Sequence, residues 1–352
     1  MEVWENNGSR IEVDLVLDQI KRDLGDLNIS ESLQRLANSR VLITGANGML
    51  GTYFTLALAL LQMQLGQSPK VAAISRKLVP RFQSLSIKTR LPGNAEALVL
   101  DGEVDVVIHA ASPAHASSFM ADPTGCFEVN VEWAQTLAQA CIKSDTRLVY
   151  ISSGEVYGIS PPVPTAETDF GGLDPVNPRN VYAVSKRAGE ALLSSMALGQ
   201  NLDLRICRLF HTFGPGIRID EPRLFGVLLE AALNERDCAI MGNADATRSF
   251  LYSFDALDGI AHVLDKCSPG AAVNIAGSQA HTVGETAIRS MSAMTNGKHG
   301  VQFVKSTTEF TQLVSEIARN EANTSLLRST GWAPQVSLEG SFVRTLNSLK
   351  SC

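Results

Sequence analysis

Tyr182 and Lys186 lie four residues apart in the segment Tyr-Ala-Val-Ser-Lys. Residues at this spacing share one face of a helix, so the phenol and the ammonium are expected to point the same way. A neighbouring cation favours the phenolate and lowers the pKa of the tyrosine toward that of a useful general base. Such pairs are common by chance. This pair gains weight from following Ser152 and Ser153 by one strand and one loop, and it predicts a proton-transfer site.

A second pattern, Gly45-x-x-Gly48-x-x-Gly51, follows a short apolar segment and opens a long one. Glycine lets the backbone turn tightly and approach a pyrophosphate, and a helix N-terminus offers unpaired N–H groups. After a first strand, the pattern favours a dinucleotide site over a merely structural turn. The residues predicted to line this site are Gly45, Asn47, Gly48, Met49, Leu50 and Gly51.

The residues after the second apolar segment bear on which dinucleotide binds. An NAD site usually places Asp or Glu there to bind the ribose hydroxyls. This chain has Ser75, Arg76 and Lys77, so two cations are available to hold a 2′-phosphate and no carboxylate repels one. We expect NAD or NADP as the cofactor and favour NADP. The alternative is a solvated basic turn in a protein that binds NAD without the carboxylate.

The elements that must position these residues are short apolar runs that alternate with helical segments. The runs occupy residues 41–43, 71–74, 104–108, 148–151 and 204–209. A parallel sheet that is covered on both faces requires this alternation. The sequence therefore predicts an α/β fold with a doubly wound parallel sheet (Rossmann) and a smaller C-terminal substrate-binding lobe. Ligands of such folds bind at the carboxyl ends of the strands.

The pattern of apolar runs, helical segments and turns divides the chain into three parts. Residues 1–39 are expected to form a helical N-terminal extension, in which Ser30 and Glu31 begin a second short helix. Residues 40–210 are mainly the dinucleotide-binding Rossmann domain. Residues 211–352 are mainly the substrate-binding lobe, with some return to the Rossmann domain. The extension carries no binding motif, and we interpret it as a packing or oligomer-contact segment.

The composition excludes several classes of function. The 352 residues carry a net charge of −6 without a basic cluster, which argues against a nucleic-acid partner. The six cysteines form no C-x-x-C pair, so neither a disulfide framework nor a metal site is expected. The N-terminus does not resemble a secretory signal, and the most apolar run, residues 53–65, is too short to span a membrane. We expect a cytoplasmic protein without a membrane partner.

The sequence resembles the extended short-chain dehydrogenase/reductases that modify nucleotide sugars, the NAD-dependent epimerase/dehydratase family. Beyond the glycine pattern, the matching segments are His109-Ala110-Ala111-Ser112, Asn130-Val131, residues 152–158, Tyr182-x-x-x-Lys186, Gly214-Pro215 and Arg248-Ser249-Phe250. They occur in the order typical of the family. The resemblance implies that the cofactor also contacts Ala110, Ala111, Ser112, Asn130, Tyr182 and Lys186.

Within this family, Ala111-Ser112-Pro113-Ala114, Glu155 and Pro178-Arg179 are most similar to the UDP-glucuronate decarboxylases, which make UDP-xylose. That likeness implies a transient oxidation at carbon 4 of the sugar by bound NAD(P). The resulting 4-keto sugar loses carbon dioxide from carbon 5 and is then reduced again.

The same likeness implies a role for each site residue. Tyr182, assisted by Lys186, takes the proton of the 4-hydroxyl, and Ser153 hydrogen-bonds that oxygen. Glu155 lies near carbon 5 or 6 as an acid/base or orienting group. The expected substrate contacts are Pro113, His211 and Arg248, the last to the nucleotide or its diphosphate.

Two positions depart from the family pattern. Sugar 4,6-dehydratases resemble Thr-Asp-Glu where this chain has Ser153-Gly154-Glu155, and the missing Asp disfavours dehydration. Decarboxylases usually carry a hydroxyl or amide residue at the position of Gly154. His211 stands where the family nearly always shows Asn. Its imidazole either adds a titratable group or replaces Asn as a neutral hydrogen-bonding group, and we favour the second.

Other functions remain open at this point. The main alternative is a nucleotide-sugar 4-epimerase, which needs Tyr182 and Ser153 but not Glu155, and a 4,6-dehydratase comes third. A regulatory scaffold that only binds NAD(P) is disfavoured by the retained base and its cation. We also expect a homodimer, because relatives pair through the corresponding helices. Trp133, Leu137 and Cys141 would then face the twofold axis, unless they pack within one protomer.

The basic turn after the second strand generates a testable prediction. If Arg76 and Lys77 hold a 2′-phosphate, NADP binds more tightly than NAD, and Arg76→Ala narrows the difference. Calorimetric titration of both cofactors into the parent protein and the variant measures this. Equal affinities of the parent protein for NAD and NADP would refute the role of these cations.

Overall fold

The computed structural model describes residues 3–6, 9–76, 82, 85, 87–90, 92–220, 223–304 and 317–350. The strands are β1 Val3–Asn6, β2 Ser9–Glu12, β3 Val41–Thr44, β4 Val71–Ile74, β5 Lys88–Arg90, β6 Val106–His109, β7 Arg147–Ser153, β8 Leu204–Leu209, β9 Thr212–Phe213, β10 Cys238–Met241, β11 Thr247–Ser249, β12 Leu251–Tyr252, β13 Ala271–Ile275, β14 Ala280–Thr282, β15 Val301–Val304 and β16 Arg319–Asn320. The helices are α1 Val13–Asp26, α2 Glu31–Ala37, α3 Met49–Gln64, α4 Ala95–Leu100, α5 Ala116–Ala121, α6 Pro123–Phe127, α7 Ala134–Ser144, α8 Val181–Gln200, α9 Leu224–Leu233, α10 Ser253–Lys266, α11 Val283–Thr295, α12 Ser325–Arg328 and α13 Leu338–Asn347.

The main sheet has seven parallel strands in the order β13-β8-β7-β6-β3-β4-β5. Helices cover both of its faces, which confirms the predicted doubly wound Rossmann fold. The five predicted strands are present. Two more were missed: β5 is only Lys-Thr-Arg, and β13 returns to the sheet from the less regular part of the chain after residue 211.

An apolar layer lies on each face of the sheet. On one face, α3 is buried over most of its surface because the sheet and the N-terminal helices enclose it, and its apolar composition fits that position. On the other face, α7 and α8 pack against β7 and β8. Leu137 and Cys141 belong to this second layer and are almost fully buried. They therefore do not face a twofold axis, and that expectation is wrong for both residues.

The N-terminal extension is helical only from Val13. Residues 3–12, which we expected within a helical segment, include β1 and β2, an antiparallel pair. The second helix does begin where predicted, with Ser30 as the N-cap of α2. The hydroxyl of Ser30 also donates to Asp258, and that of Ser32 to Asp265, so α2 is attached to α10.

A buried carboxylate joins the extension to the rest of the protein. Asp23, in α1, has a fully buried side chain. It accepts hydrogen bonds from the hydroxyls of Tyr53 and Tyr252, each at 2.7 Å. It also accepts from Gln19 at 2.9 Å and from Arg344 of α13 at 2.8 Å. One side chain thus connects α1, α3, β12 and the last helix.

The second lobe stands beyond the carboxyl ends of the main strands. It contains the parallel pair β10–β15 and a three-stranded sheet of β14, β11 and β16. Phe213, Phe225 and Phe342 stack at its core, where α9 and α13 meet. The lobe brings β11, with Arg248, toward the edge where β7 and β8 end. No helix within the described ranges has the length and apolar character needed to cross a membrane.

The Asp23 network generates a second prediction. Asp23→Ala leaves the partly buried Arg344 and two buried phenols without their acceptor, so we expect the free energy of unfolding to fall by about 3 kcal/mol. Asp26→Ala removes the exposed carboxylate that pairs with the same arginine and should cost less than about 1 kcal/mol. Denaturant unfolding of both variants measures the contrast. Equal losses would contradict a special role for Asp23.

Candidate active site

The glycine pattern forms a tight turn between β3 and α3. Gly45 has φ +71°, and a Cβ at this position would come within 2.6 Å of the Cα of Ala111. A Cβ on Gly51 would lie 2.2 Å from the carbonyl oxygen of Gly45. The first turn of α3 can therefore pack this closely against Gly45 only because residue 51 has no side chain. Gly48 caps α3 without a side-chain hydrogen bond to the first amides of the helix. This cradle fits the phosphates of a dinucleotide.

A hydrogen-bonded chain fixes the ends of β3 and β6 beside this turn. The N–H of Ala111 donates to the hydroxyl of Thr44 (3.2 Å), and that hydroxyl lies 2.8 Å from Nδ1 of His109. Nε2 of His109 lies 3.1 Å from the carbonyl oxygen of Val129. Burial, aided by the charge of Lys186, lowers the pKa of His109 to about 3. The neutral ring therefore accepts at Nδ1 and donates at Nε2.

The loop after β6 offers polar and small residues to a ligand. Ala110 and Ala111 pass closest to Gly45. The hydroxyl of Ser112 is buried and has no hydrogen-bond partner in the described part of the chain, which leaves it available to a bound group. Pro113 follows it and is partly exposed. Sequence analysis missed the positioning roles of Thr44 and His109, although both stand at predicted strand ends.

The basic turn after β4 is partly described. Ser75 is buried, and its N–H donates to the carbonyl of Arg90. The side chain of Arg76 is exposed. Lys77 lies outside the described residues. Arg90 ends β5 and adds a second exposed cation at this edge, which sequence analysis missed because β5 is too short and polar to be recognised.

Lys186 is almost completely buried in α8. Its Nζ donates to the carbonyl of Ile151 at 2.7 Å and lies 4.7 Å from the centroid of the Tyr150 ring. Burial lowers the pKa of Lys186 to about 7, whereas Cys126 and Glu190 favour its charged form. The ammonium is thus held at the end of β7 with few compensating charges.

Tyr182 is buried in the first turn of α8, its ring nearly parallel to that of Phe119 at a centroid distance of 5.6 Å. Burial and the negative charge of Glu155 raise the pKa of this phenol, while the polar side chain of Ser153 lowers it. The net direction is upward, so the lowered pKa that we expected from Lys186 is wrong for this structure. The physical reason is that desolvation outweighs the other influences.

Ser153 and Glu155 stand at the end of β7, where a short 3-10 turn spans Gly154–Tyr157. The N–H of Glu155 donates to the hydroxyl of Ser153 at 3.1 Å, so Ser153 caps this turn. The carboxylate of Glu155 lies 4.0 Å from Nη1 of Arg179. The turn therefore places a hydroxyl and a carboxylate side by side next to Tyr182.

The unusual Gly154 has a structural counterpart in Phe210. A Cβ at residue 154 would lie 2.7 Å from ring carbons of Phe210, which follows β8 and is almost completely buried. The aromatic ring occupies the space that a side chain at residue 154 would need. Packing therefore accounts for the departure from the decarboxylase pattern at Gly154: the ring of Phe210, just after β8, lies against residue 154, just after β7.

His211 follows Phe210 with φ +20° and is partly buried. Its Nε2 is buried without a hydrogen-bond partner among the described residues. Burial, followed by the charges of Arg248 and Arg223, lowers the pKa of His211 well below its usual value. The imidazole is therefore neutral, as in the interpretation that we favoured, and its free nitrogen can serve a ligand.

Arg248 approaches the site from the second lobe. Its Nη1 donates to the carbonyls of Thr247 at 2.8 Å and Ala318 at 3.1 Å. Burial lowers the pKa of its guanidinium, and the charge of Glu155 counteracts this effect. Glu155 therefore lies close enough to interact with the cations of both Arg179 and Arg248.

Asn130 is fully buried within a π-helical turn, Glu128–Trp133. Its amide donates to the hydroxyl of Ser185 in α8, and its backbone carbonyl accepts from the Tyr150 hydroxyl, both at 2.9 Å. These bonds fix α8 relative to β7. Contact between Asn130 and a cofactor stays a prediction.

A buried ion pair lies beneath the site and was missed by sequence analysis. Arg208 of β8 donates to Glu190 of α8 through Nη2 at 2.7 Å and Nε at 3.0 Å. Glu190 also accepts from the hydroxyl of Ser152. Glu190 follows Lys186 by four residues, so helical spacing alone could have placed both on one face.

The structure thus brings most predicted residues to one edge of the sheet. Near the glycine turn lie Gly45, Asn47, Gly48, Met49, Leu50, Gly51, Ala110, Ala111 and Ser112. Around Tyr182 lie Ser153, Glu155, His211 and Arg248, which their hydrogen bonds and charges link. In the described ranges, no group of three or more His, Cys, Asp and Glu side chains is arranged to hold a metal ion.

A model of the NAD dependent epimerase/dehydratase family matches residues 41–276, from the start of β3 to just past β13. The chain belongs to this family. Members of the family therefore provide the relevant comparisons for the site.

Two relatives illustrate the sequence similarity. UDP-glucuronic acid decarboxylase 4 of Arabidopsis thaliana is 26% identical over 232 residues, which are 64% of this chain and 51% of that protein. UDP-glucuronic acid decarboxylase 1 of Danio rerio is 24% identical over 359 residues, covering 98% of this chain and 83% of that protein. The chain spans about half the length of the Arabidopsis relative.

Solved structures share the fold. UDP-glucuronic acid 4-epimerase from Bacillus cereus, in complex with UDP-glucuronic acid and NAD, superposes with a TM-score of 0.69 at 23% identity, covering 88% of this chain and 98% of that one. UDP-glucose 4-epimerase from Thermotoga maritima, with UDP-glucose, has a TM-score of 0.73 at 19% identity and covers 88% and 97%.

The contact between Gly154 and Phe210 generates a third prediction. Gly154→Ser forces the ring to move, so we expect the free energy of unfolding to fall by about 1–3 kcal/mol. Phe210→Leu makes room for the added side chain, so the double variant should lose less stability than the sum of the two single variants. Denaturant unfolding of all four proteins tests this. Additive losses would show that the two positions do not interact.

Proposed function

We propose that this protein is a nucleotide-sugar enzyme that decarboxylates UDP-glucuronate through transient oxidation at carbon 4, with bound NAD or NADP. The observation that carries the proposal is the meeting of three groups: Ser153 caps the turn that holds Glu155, and both side chains act on the pKa of the buried Tyr182 phenol. A hydroxyl, a phenol and a carboxylate at one strand end suit proton transfer on a sugar. The likeness to UDP-glucuronic acid decarboxylases supports the choice of substrate.

In this proposal Tyr182 takes the proton of the sugar 4-hydroxyl and returns it, and Ser153 holds the same oxygen. Ser153 favours the phenolate and lowers the pKa of Tyr182, whereas burial favours the phenol, which suits a group that both accepts and returns a proton. Lys186, held by Ile151, supplies positive charge nearby. Glu155 orients or protonates the sugar at carbon 5 or 6.

The cofactor would lie along the glycine turn. The close approach of Gly45 to Ala111 and the unpaired hydroxyl of Ser112 support this placement. When bound, a nicotinamide dinucleotide supplies the temporary hydride acceptor for carbon 4. The family and its solved structures point to NAD. The exposed cations Arg76 and Arg90, at the ends of neighbouring strands, support our preference for NADP, because two positive charges favour a 2′-phosphate.

The charges around Tyr182 support a strongly anionic substrate. Glu155 lies 4.0 Å from Arg179, and its charge also acts on Arg248, so two guanidinium groups share this carboxylate. A nucleoside diphosphate brings two negative charges, and a uronic acid adds a third. The surplus of positive charge matches such a ligand better than a neutral sugar.

The second candidate is a UDP-glucuronate 4-epimerase. Gly154 favours it, because the decarboxylases usually place a hydroxyl or amide side chain there and Phe210 occupies that space in this chain. A 4,6-dehydratase is less well supported, since the Asp that would protonate a leaving hydroxyl is missing. An NAD(P)-binding scaffold would not need Tyr182. A homodimer remains an expectation from the resemblance, and a cytoplasmic location remains an expectation from the sequence.

Mass spectrometry tests the proposal. We expect the purified protein, given UDP-glucuronate with NAD or NADP, to form a product lighter by the mass of carbon dioxide. An unchanged mass with an altered chromatographic position would identify an epimerase instead, and loss of water a dehydratase. Tyr182→Phe should keep cofactor binding and lose turnover. If the parent protein binds cofactor but changes no sugar in a panel of nucleotide sugars, the scaffold function replaces the enzyme.

A further inference from the structure

Arg179 is a charged side chain beside the reacting group. It lies in the 3-10 turn Pro178–Asn180 that leads directly into α8, one helical turn before Tyr182. Its guanidinium carbon is 5.2 Å from the centroid of the Phe119 ring, and that same ring stacks with Tyr182. Arg179 is therefore tied to the catalytic phenol through one aromatic side chain.

The protein does not provide a hydrogen-bond acceptor for every N–H group of the Arg179 guanidinium. Its Nε is buried and has no hydrogen-bond partner among the described residues. Its nearest carboxylate oxygen, on Glu155, lies 4.0 Å from Nη1, beyond hydrogen-bond distance. A buried donor without an acceptor is costly, so this guanidinium is suited to receive an acceptor from a ligand.

The surroundings indicate the chemistry of that ligand. Glu155 interacts with both Arg179 and Arg248, so one carboxylate serves two cations. The small cavity that Arg179 borders is also lined by apolar side chains, among them Ile159 and Leu173, which strengthen an ionic contact by excluding water. The planar guanidinium favours a planar anion with two oxygens, a carboxylate.

The position within the site separates this anion from the diphosphate. Arg223 and Arg248 approach from the second lobe, where both act on His211 and Arg223 also acts on Tyr182. Arg179 instead lies on the helix side, next to the phenol that acts on carbon 4 of the sugar. The carboxylate it meets would therefore belong to the sugar ring itself.

We propose that Arg179 binds the carboxylate of a uronic acid and so selects UDP-glucuronate over UDP-glucose. This inference rests on the proposed function and adds the residue that determines the substrate class. Arg179 acts in binding. It takes no proton and forms no covalent bond.

Equilibrium binding tests the role of Arg179 without turnover. Calorimetric titrations of UDP-glucuronate, UDP-glucose and UDP use cofactor-saturated protein that carries Tyr182→Phe to prevent reaction. In this background Arg179→Gln should weaken UDP-glucuronate binding by about tenfold or more, because one charge-assisted contact is lost. The dissociation constants for UDP-glucose and UDP should change less than about twofold, which also shows that the variant is folded.

Two further variants sharpen the test. Arg179→Lys keeps the charge but not the paired donors, so part of the preference for UDP-glucuronate should remain. Arg40→Gln is the control variant, with the same substitution at an exposed arginine that pairs with Asp105. Arg40 immediately precedes β3, so it lies at the edge of the sheet opposite to the candidate site. This control variant should leave the binding of all three ligands unchanged.

The outcomes separate this inference from the proposed function. If the protein with intact Arg179 prefers UDP-glucuronate and Arg179→Gln keeps that preference, only the role of Arg179 is refuted. Equal weakening of all three ligands by Arg179→Gln also refutes it, since the arginine would then serve the diphosphate or the fold. If the protein with intact Arg179 does not prefer UDP-glucuronate to UDP-glucose, the proposed substrate fails, and the role of Arg179 fails with it.

Discussion

The candidate site depends on the buried ion pair between Glu190 and Arg208. Glu190 belongs to the helix that carries Tyr182 and Lys186, and Arg208 to a central strand. Glu190 also accepts from the hydroxyl next to Ser153, and Arg208 donates to the hydroxyl of Tyr157 and to a loop carbonyl. Removing one member would leave a buried charge without its partner, which is strongly destabilising. The pair therefore fixes the distance between the helix that carries Tyr182 and Lys186 and the central strand.

Exclusion of water determines the charge state of the groups above this pair. Burial holds His109 and His211 neutral, raises the pKa of Tyr182 and lowers that of Lys186. Neutral histidines can accept hydrogen bonds, which the chain from Ala111 to Val129 uses. The low dielectric constant of this buried region also strengthens the electrostatic field of the arginines near Glu155, which favours an anionic ligand.

The N-terminal extension contributes apolar side chains to the hydrophobic core of the family fold. The family match begins at residue 41, yet apolar residues from α1 and α2 belong to the same core as the sheet. Asp23 connects α1 to α3, the helix that opens at the glycine turn. The extension is thus a packing segment within the protomer, in line with one of the two roles expected for it.

The sequence by itself determined the doubly wound sheet, the glycine turn and the helix with Tyr182 and Lys186. Each of these is recognised from the spacing of residues within a short stretch of the chain: the apolar runs, the three glycines, and a tyrosine and a lysine four residues apart. It did not determine β5 or β13, which are a short polar strand and a strand returning from a distant segment. Only the tertiary structure decided that Phe210 fills the space beside Gly154. It also decided that burial, together with the charge of Glu155, raises the pKa of Tyr182. Packing and desolvation depend on neighbours far apart along the chain, and local patterns do not contain them.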